Sequence, residues 1–250
     1  MAYFRYGDFD GGFPRYVSAG ERRAKATLQA KKLEKKGRTL EPVRLEGRKI
    51  AESFWGKAWC RNLEEYSDFA NRLPRGRSYL RSGAVLDLRI VEGRIDALVS
   101  GGSLYEVVVE INELSRRRWS GLVSRCKGRI DSVVALLRGE LPEALMDAMI
   151  DRKSGVFPEP KQMRFRCSCP DSAALCKHIA AVLYGVGARF DKKPETFFTL
   201  RSVRMEQLVA KSVGSVKKAA PSAARKGSAS IEEIFGIELD QTPVRRTRGR

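Results

Sequence analysis

Three stretches of the chain alternate apolar and polar residues and are rich in β-branched side chains: Gly83–Val91, Arg94–Val99 and Leu104–Ile111. The separators Glu92-Gly93 and Gly101-Gly102 have turn composition, so the three segments read as an antiparallel meander. Elsewhere the apolar period is helical. Ser18-Ala19-Gly20-Glu21 has the form of a capping box, with Ser at the cap and Glu three residues on, and the helix it opens ends near Gly37. Its apolar stripe is thin (Ala26, Ala30, Leu33), while Arg22, Lys25, Gln29, Lys32 and Lys36 share the other side. A helix this polar lies on a surface, or orders only when a partner arrives.

Trp59, Leu63 and Tyr66 follow helical spacing, as do segments of Leu114–Cys126, Ile130–Leu137, Leu141–Ile150 and Val203–Lys211. Pro142 suits a first helical turn. Asn71–Arg81 holds a Pro and a Gly among four arginines and reads as a loop. Met163–Ser168 alternates like a strand, and Ile179, Val182, Leu183 and Val186 mark a helix packed in a core.

These elements give an α+β fold: a small antiparallel sheet with packed helices, a strand-turn-helix metal knuckle beside it, and flexible basic termini. The expected division is a basic extension with a helix over 1–49, an α+β segment over 50–160, the knuckle and a following helix over 161–211, and a disordered basic tail over 212–250. Within the tail, the apolar-acidic cluster Ile231–Leu239 is either a docking peptide for another protein or an extra turn on this chain's own core.

Charge narrows the function. Lys and Arg number 48 against 30 Asp and Glu, a formal net charge of +18. Such an excess favours a polyanionic partner, because each phosphate neutralised releases condensed counterions. Local basic clusters fall at the first helix, at Arg72, Arg75, Arg77 and Arg81, and at Arg116, Arg117 and Arg118 with Arg125, Lys127 and Arg129. The arginines, with Tyr79 and Trp119 interleaved, suit phosphate clamping and base stacking; alternatively Arg75 and Arg77 neutralise nearby acidic residues. No apolar run reaches the length of a membrane span, and the first twelve residues lack the basic-then-apolar order of a signal peptide, so a cytoplasmic location is expected, on the nucleoid in a bacterium.

The chemistry concentrates in twelve residues, which hold three of the five cysteines and the only histidine: Cys167, Cys169, Cys176 and His178, in the pattern C-x-C-x6-C-x-H. Cys167 and Cys169, two apart on an extended chain, project to one side. Cys169-Pro170-Asp171-Ser172 turns the chain back. Residues two apart inside a helix point nearly opposite ways, so Cys176 belongs at or before the helix start and His178 in its first turn. Three thiolates and an imidazole close a tetrahedral zinc site, structural because no position remains for water. The complex has a formal charge of −1, which the flanking Arg164, Arg166 and Lys177 can offset. A redox-active cysteine patch is the competing reading. Cys60 and Cys126 lack such neighbours and read as ordinary buried thiols.

Cys167-Ser168-Cys169-Pro170-Asp171 followed by Cys176-Lys177-His178 resembles the SWIM zinc finger. Phe54-Trp55-Gly56-Lys57-Ala58-Trp59 and Arg75-Gly76-Arg77-Ser78-Tyr79 resemble bacterial SWIM-domain proteins, and the resemblance covers roughly residues 40–210. Ser172 stands where such proteins frequently carry an aromatic residue. The resemblance implies a non-enzymatic zinc module tied to DNA binding and protein interaction, beside or fused to Swi/Snf-type helicases.

No phosphate-binding glycine loop, dinucleotide glycine pattern or H-E-x-x-H occurs, and with the sole histidine a metal ligand no imidazole remains for acid–base work. The expectation is therefore one structural zinc, no small-molecule substrate, and nucleic acid as partner, DNA before RNA and with low sequence specificity. The alternative is an adaptor that docks onto a Swi/Snf-type ATPase with little nucleic-acid affinity of its own.

Overall fold

In the computed structural model the described residues are 17–66, 72–130 and 132–213; the tail with its 231–239 cluster and the first sixteen residues lie outside them. The chain divides at Ser215/Val216, and everything described here belongs to the first unit.

Helix α1 (Ala19–Lys35) starts at the capping box read from the sequence: the Glu21 backbone N–H donates to Ser18 Oγ at 3.1 Å, and the Ser18 N–H donates to the Glu21 carboxylate at 2.8 Å. Its thin stripe suffices. Ala26 and Ala30 are buried against Leu86 and Leu98, on the face of the sheet away from the main core. The helix therefore lies on a surface of its own chain and needs no outside partner to define its position.

Helix α2 (Phe54–Glu64) is capped by Ser53 and buries Trp55 and Trp59 completely. Both indoles are satisfied in the core: Trp55 Nε1 donates to the Leu136 carbonyl at 2.9 Å and Trp59 Nε1 to that of Leu183 at 2.8 Å. Helix α3 (Leu73–Arg81) occupies the segment expected to be a loop. Pro74 sits in its first turn, where a missing N–H costs nothing, and Gly76 is a packing residue. A β-carbon on Gly76 would fall 2.5 Å from Ala180 Cβ, so the glycine lets two helix backbones meet.

Strands β1 (Val85–Val91), β2 (Arg94–Ser100) and β3 (Leu104–Ile111) form the expected meander, the first hairpin turning at Glu92-Gly93 with Gly93 at φ +63°. Helices α4 (Arg116–Cys126), α5 (Val133–Arg138) and α6 (Glu143–Ile150) follow, and Pro142 caps α6 from just outside its first turn. Strand β4 (Met163–Cys167) then pairs antiparallel with β3, placing Cys167 opposite Val107, to give the order β1-β2-β3-β4.

Helix α7 (Lys177–Lys192) runs through the middle of the domain, with every residue from His178 to Ala188 buried. A helix apolar on all sides belongs inside a core. It meets α2 and α3 through small residues: besides the Gly76 contact, a β-carbon on Gly187 would fall 2.7 Å from Cys60 Sγ. Helix α8 (Glu195–Leu200), not anticipated from the sequence, buries Phe197 and Phe198 against Trp55, and α9 (Glu206–Val213) ends the described chain. The single helix read over Val203–Lys211 is thus α9, displaced toward the C-terminus. Among the described residues no helix is long and apolar enough to cross a membrane.

Candidate metal centre

Strand β4 ends at Cys167, and the ladder is carried one residue further by side chain and backbone: the Glu106 N–H donates to Ser168 Oγ at 2.9 Å and the Ser168 N–H to the Glu106 carbonyl at 3.0 Å. Cys169 follows beyond the strand's end. The chain returns through a bend in which the Ala173 N–H donates to the Asp171 carboxylate at 3.1 Å, and Arg72 pairs with Asp171 at 3.7 Å. Cys176 is the N-cap of α7 and His178 lies in its first turn, as the i,i+2 argument required.

The four ligand atoms lie within 4.8 Å of one another. His178 Nδ1 is 3.9 Å from Cys167 Sγ and 3.8 Å from Cys176 Sγ. Zinc held at about 2.3 Å by sulfur and about 2.0–2.1 Å by nitrogen gives tetrahedral edges of roughly 3.6–3.8 Å. The sulfur–nitrogen spacings therefore leave room for one ion and are too long for strong direct hydrogen bonds. The hydrogen bond between the two sulfurs lowers the Cys176 thiol and raises that of Cys167. A thiolate at the N-terminus of α7 is thus ready for a cation.

His178 is 3% exposed, and its ring is walled on two sides. Tyr105 lies against it with centroids 4.4 Å apart, and Tyr79 meets it edge-on at 5.3 Å. Its Nε2 is buried without a hydrogen-bond partner among the described residues. Nδ1 is accordingly the ligating atom, and Nε2 points away from the sulfurs toward Gly101. Neither Gly101 nor Tyr105 was singled out from the sequence as part of the site. The Gly101-Gly102 pair signalled a turn, and nothing local said that the turn lies under the imidazole.

Residues 161–186 match the SWIM zinc finger family. The chain carries a SWIM zinc finger. Its Cys167, Cys169, Cys176 and His178 hold one structural zinc ion. Modules of this family mediate nucleic-acid or protein interactions in general. Over 164 residues the chain is also 32% identical to the uncharacterized protein Rv2102 of Mycobacterium tuberculosis. That alignment spans 64% of this chain and 59% of the relative. No solved structure matches.

The surroundings of the SWIM finger differ from expectation in three respects. Arg164 and Arg166 alternate with Phe165 and Cys167 along β4, and Arg166 pairs with Glu110 of β3 at 2.8 Å, while the Lys177 ammonium lies 5.7 Å from the centre of the Tyr79 ring. Tyr79 is no stacking platform for a base, because Arg22 and Lys177 both sit over its ring. Trp119 is buried, its indole N–H donating to Gln207.

The arginines proposed to touch nucleic acid divide into two groups. Arg72 pairs with Asp171, Arg77 with Glu64 at 3.0 Å, and Arg118 with Glu159 at 2.7 Å, while Arg81 donates to the Arg48 carbonyl at 3.1 Å. Arg75, Arg116 and Arg117 are exposed and make no ion pair among the described residues. Cys126 is buried and Cys60 partly so, and burial pushes the Cys60 thiol up to about 12, consistent with unreactive packing residues.

Proposed function

We propose that this protein is a non-enzymatic, zinc-stabilised module that binds nucleic acid, DNA in preference to RNA, with low sequence specificity, in the cytoplasm. The observation that carries the reading is the exposed side of α1. The helix bears six basic residues against two acidic ones, and its apolar stripe is already used against the sheet, so Arg23, Lys31, Lys32, Lys35 and the C-cap Lys36 are exposed on a docked backbone. A rigid cationic ridge on a chain of net charge +18 is the electrostatic footprint of a polyanion-binding surface. The single histidine is buried at the zinc site, which supports a non-catalytic role.

Binding of labelled duplex DNA, single-stranded DNA and RNA, measured across a salt series, tests this. The logarithm of the affinity should fall linearly with the logarithm of salt, with little dependence on sequence. An affinity that is absent at low salt, or flat across the series, overturns it. A role beside a helicase-type ATPase follows from the family resemblance, and co-purification with the full chain against a chain ending at Lys211 tests whether the tail recruits it.

A further inference from the structure

Resting on the nucleic-acid reading, we infer that the phosphodiester backbone is held in the cleft between the N-terminus of α1 and helix α3, with Arg23, Arg77 and Arg81 as its contacts. The cleft has a volume of about 580 Å³ and is lined by these three arginines, by Ala19, and by the hydroxyl-bearing Ser78 and Ser82. Among the described residues no acidic side chain lines it. Glu21, the acidic residue of the first turn of α1, is folded back onto the Ser18 N–H at 2.8 Å.

The width of the cleft is fixed by Arg22. Its Nη1 donates to the Val17 carbonyl at 2.6 Å, its Nη2 to Ser78 Oγ at 3.2 Å, and its guanidinium carbon lies 5.7 Å from the Tyr79 ring centre. Arg22 is thus a positioning residue that ties the start of α1 to α3. Of the three lining arginines, Arg23 is exposed with no head-group partner among the described residues, Arg81 uses one nitrogen on the Arg48 carbonyl, and Arg77 shares its charge with Glu64. Planar forks with spare N–H donors match the oxygens of phosphodiesters and carry no means of reading bases. The floor of the cleft is rigid because α3 is packed against the zinc-anchored helix α7 at Gly76 and Ala180.

The test uses the full-length zinc-loaded protein and a fluorescent 20-base-pair duplex of arbitrary sequence, with single-stranded DNA and RNA of the same sequence as parallel arms. The double variant Arg23→Gln/Arg81→Gln is compared with Lys153→Gln/Lys193→Gln, which removes the same charge from exposed positions elsewhere. Loss of two phosphate contacts should make the salt slope on duplex DNA shallower by about 1.8 and weaken binding on the order of tenfold per arginine at 0.1 M salt. The lysine control should keep the wild-type slope. Zinc stoichiometry and circular dichroism check that each variant is folded, and Arg23→Gln alone, at an exposed position whose head group has no partner among the described residues, serves if the double variant is not. An unchanged slope in the cleft variant, or an equal loss in the lysine control, overturns the cleft while leaving nucleic-acid binding in place. Absence of wild-type binding in all three arms overturns the nucleic-acid reading and the cleft together.

Discussion

Gly101 lies directly beneath His178: a β-carbon built on the glycine would fall 2.8 Å from Nε2 of the imidazole, with the Tyr105 ring equally close. The β2–β3 turn thereby sets the depth of a zinc ligand that arrives from a helix more than seventy residues later in the chain.

Gly101→Ala should push the imidazole off its position while leaving the three sulfurs untouched. Residues that orient ligands typically alter metal affinity by about 10–100-fold. Competition with a chromophoric chelator should show a loss in that range, and zinc affinity equal to wild type would mean the turn yields instead of the ring.

Zinc removal should melt more than the finger. Helix α7 starts at a zinc ligand and is the helix against which α2 and α3 pack, and binding of structural zinc is worth on the order of 10 kcal/mol in small zinc domains. Chelation should abolish the near-UV dichroism of Trp55 and Trp59, which lie in the same core. A chelated protein that keeps that signal would show that the core stands without its metal.

Thiol labelling should find all five cysteines protected in the folded protein. In the zinc-loaded protein at pH 8 an alkylating reagent should leave all five largely unmodified: three are coordinated, burial raises the Cys126 thiol, and that of Cys60 is pushed up to about 12. Denaturing chelation, which opens the core together with the finger, should then bring the count to five adducts, read by mass spectrometry. Rapid loss of Cys60 in the folded protein would contradict the packing around Gly187.

Gly76→Ala should destabilise the fold, because the new methyl would meet Ala180 Cβ at 2.5 Å and its carbonyl carbon at 2.7 Å in a contact between two backbones. Overpacking of this kind costs about 1–3 kcal/mol, measurable by denaturant unfolding. In an exposed helix the same change would be stabilising, so the sign alone decides whether α3 is docked as described.

Acid should release one specific ion-pair contribution. The Glu159 carboxyl is held below its ordinary 4.5, first by Lys161 and then by Arg118. A depressed carboxyl contributes stability that is present above its unfolded value and disappears as the pH falls through the folded one. Glu159→Gln should therefore lower stability at pH 7 by about 1 kcal/mol, and the gap from wild type should close below pH 4.5. A gap that persists at lower pH would show that the loss does not come from the carboxylate's charge.

Relations between neighbours along the chain were legible before any fold was known. The capping box at Ser18 and Glu21, the hairpin at Gly93, the alternation of β1 to β3, and the placing of Cys176 at the N-cap and His178 in the first turn all follow from local geometry, since i,i+2 and i,i+3 relations are fixed by the backbone alone. The tertiary structure decided whatever needs two distant segments to meet. Pro74 and Gly76 read as loop residues until α7 supplied the helix that Gly76 packs against; Tyr79 read as a stacking surface until Arg22 and Lys177 covered it; and the arginine-rich run could not show that Arg72 and Arg77 already have carboxylates on Asp171 and Glu64. Close packing and ion pairing act across space, so separation along the chain conceals them until the fold brings the partners together.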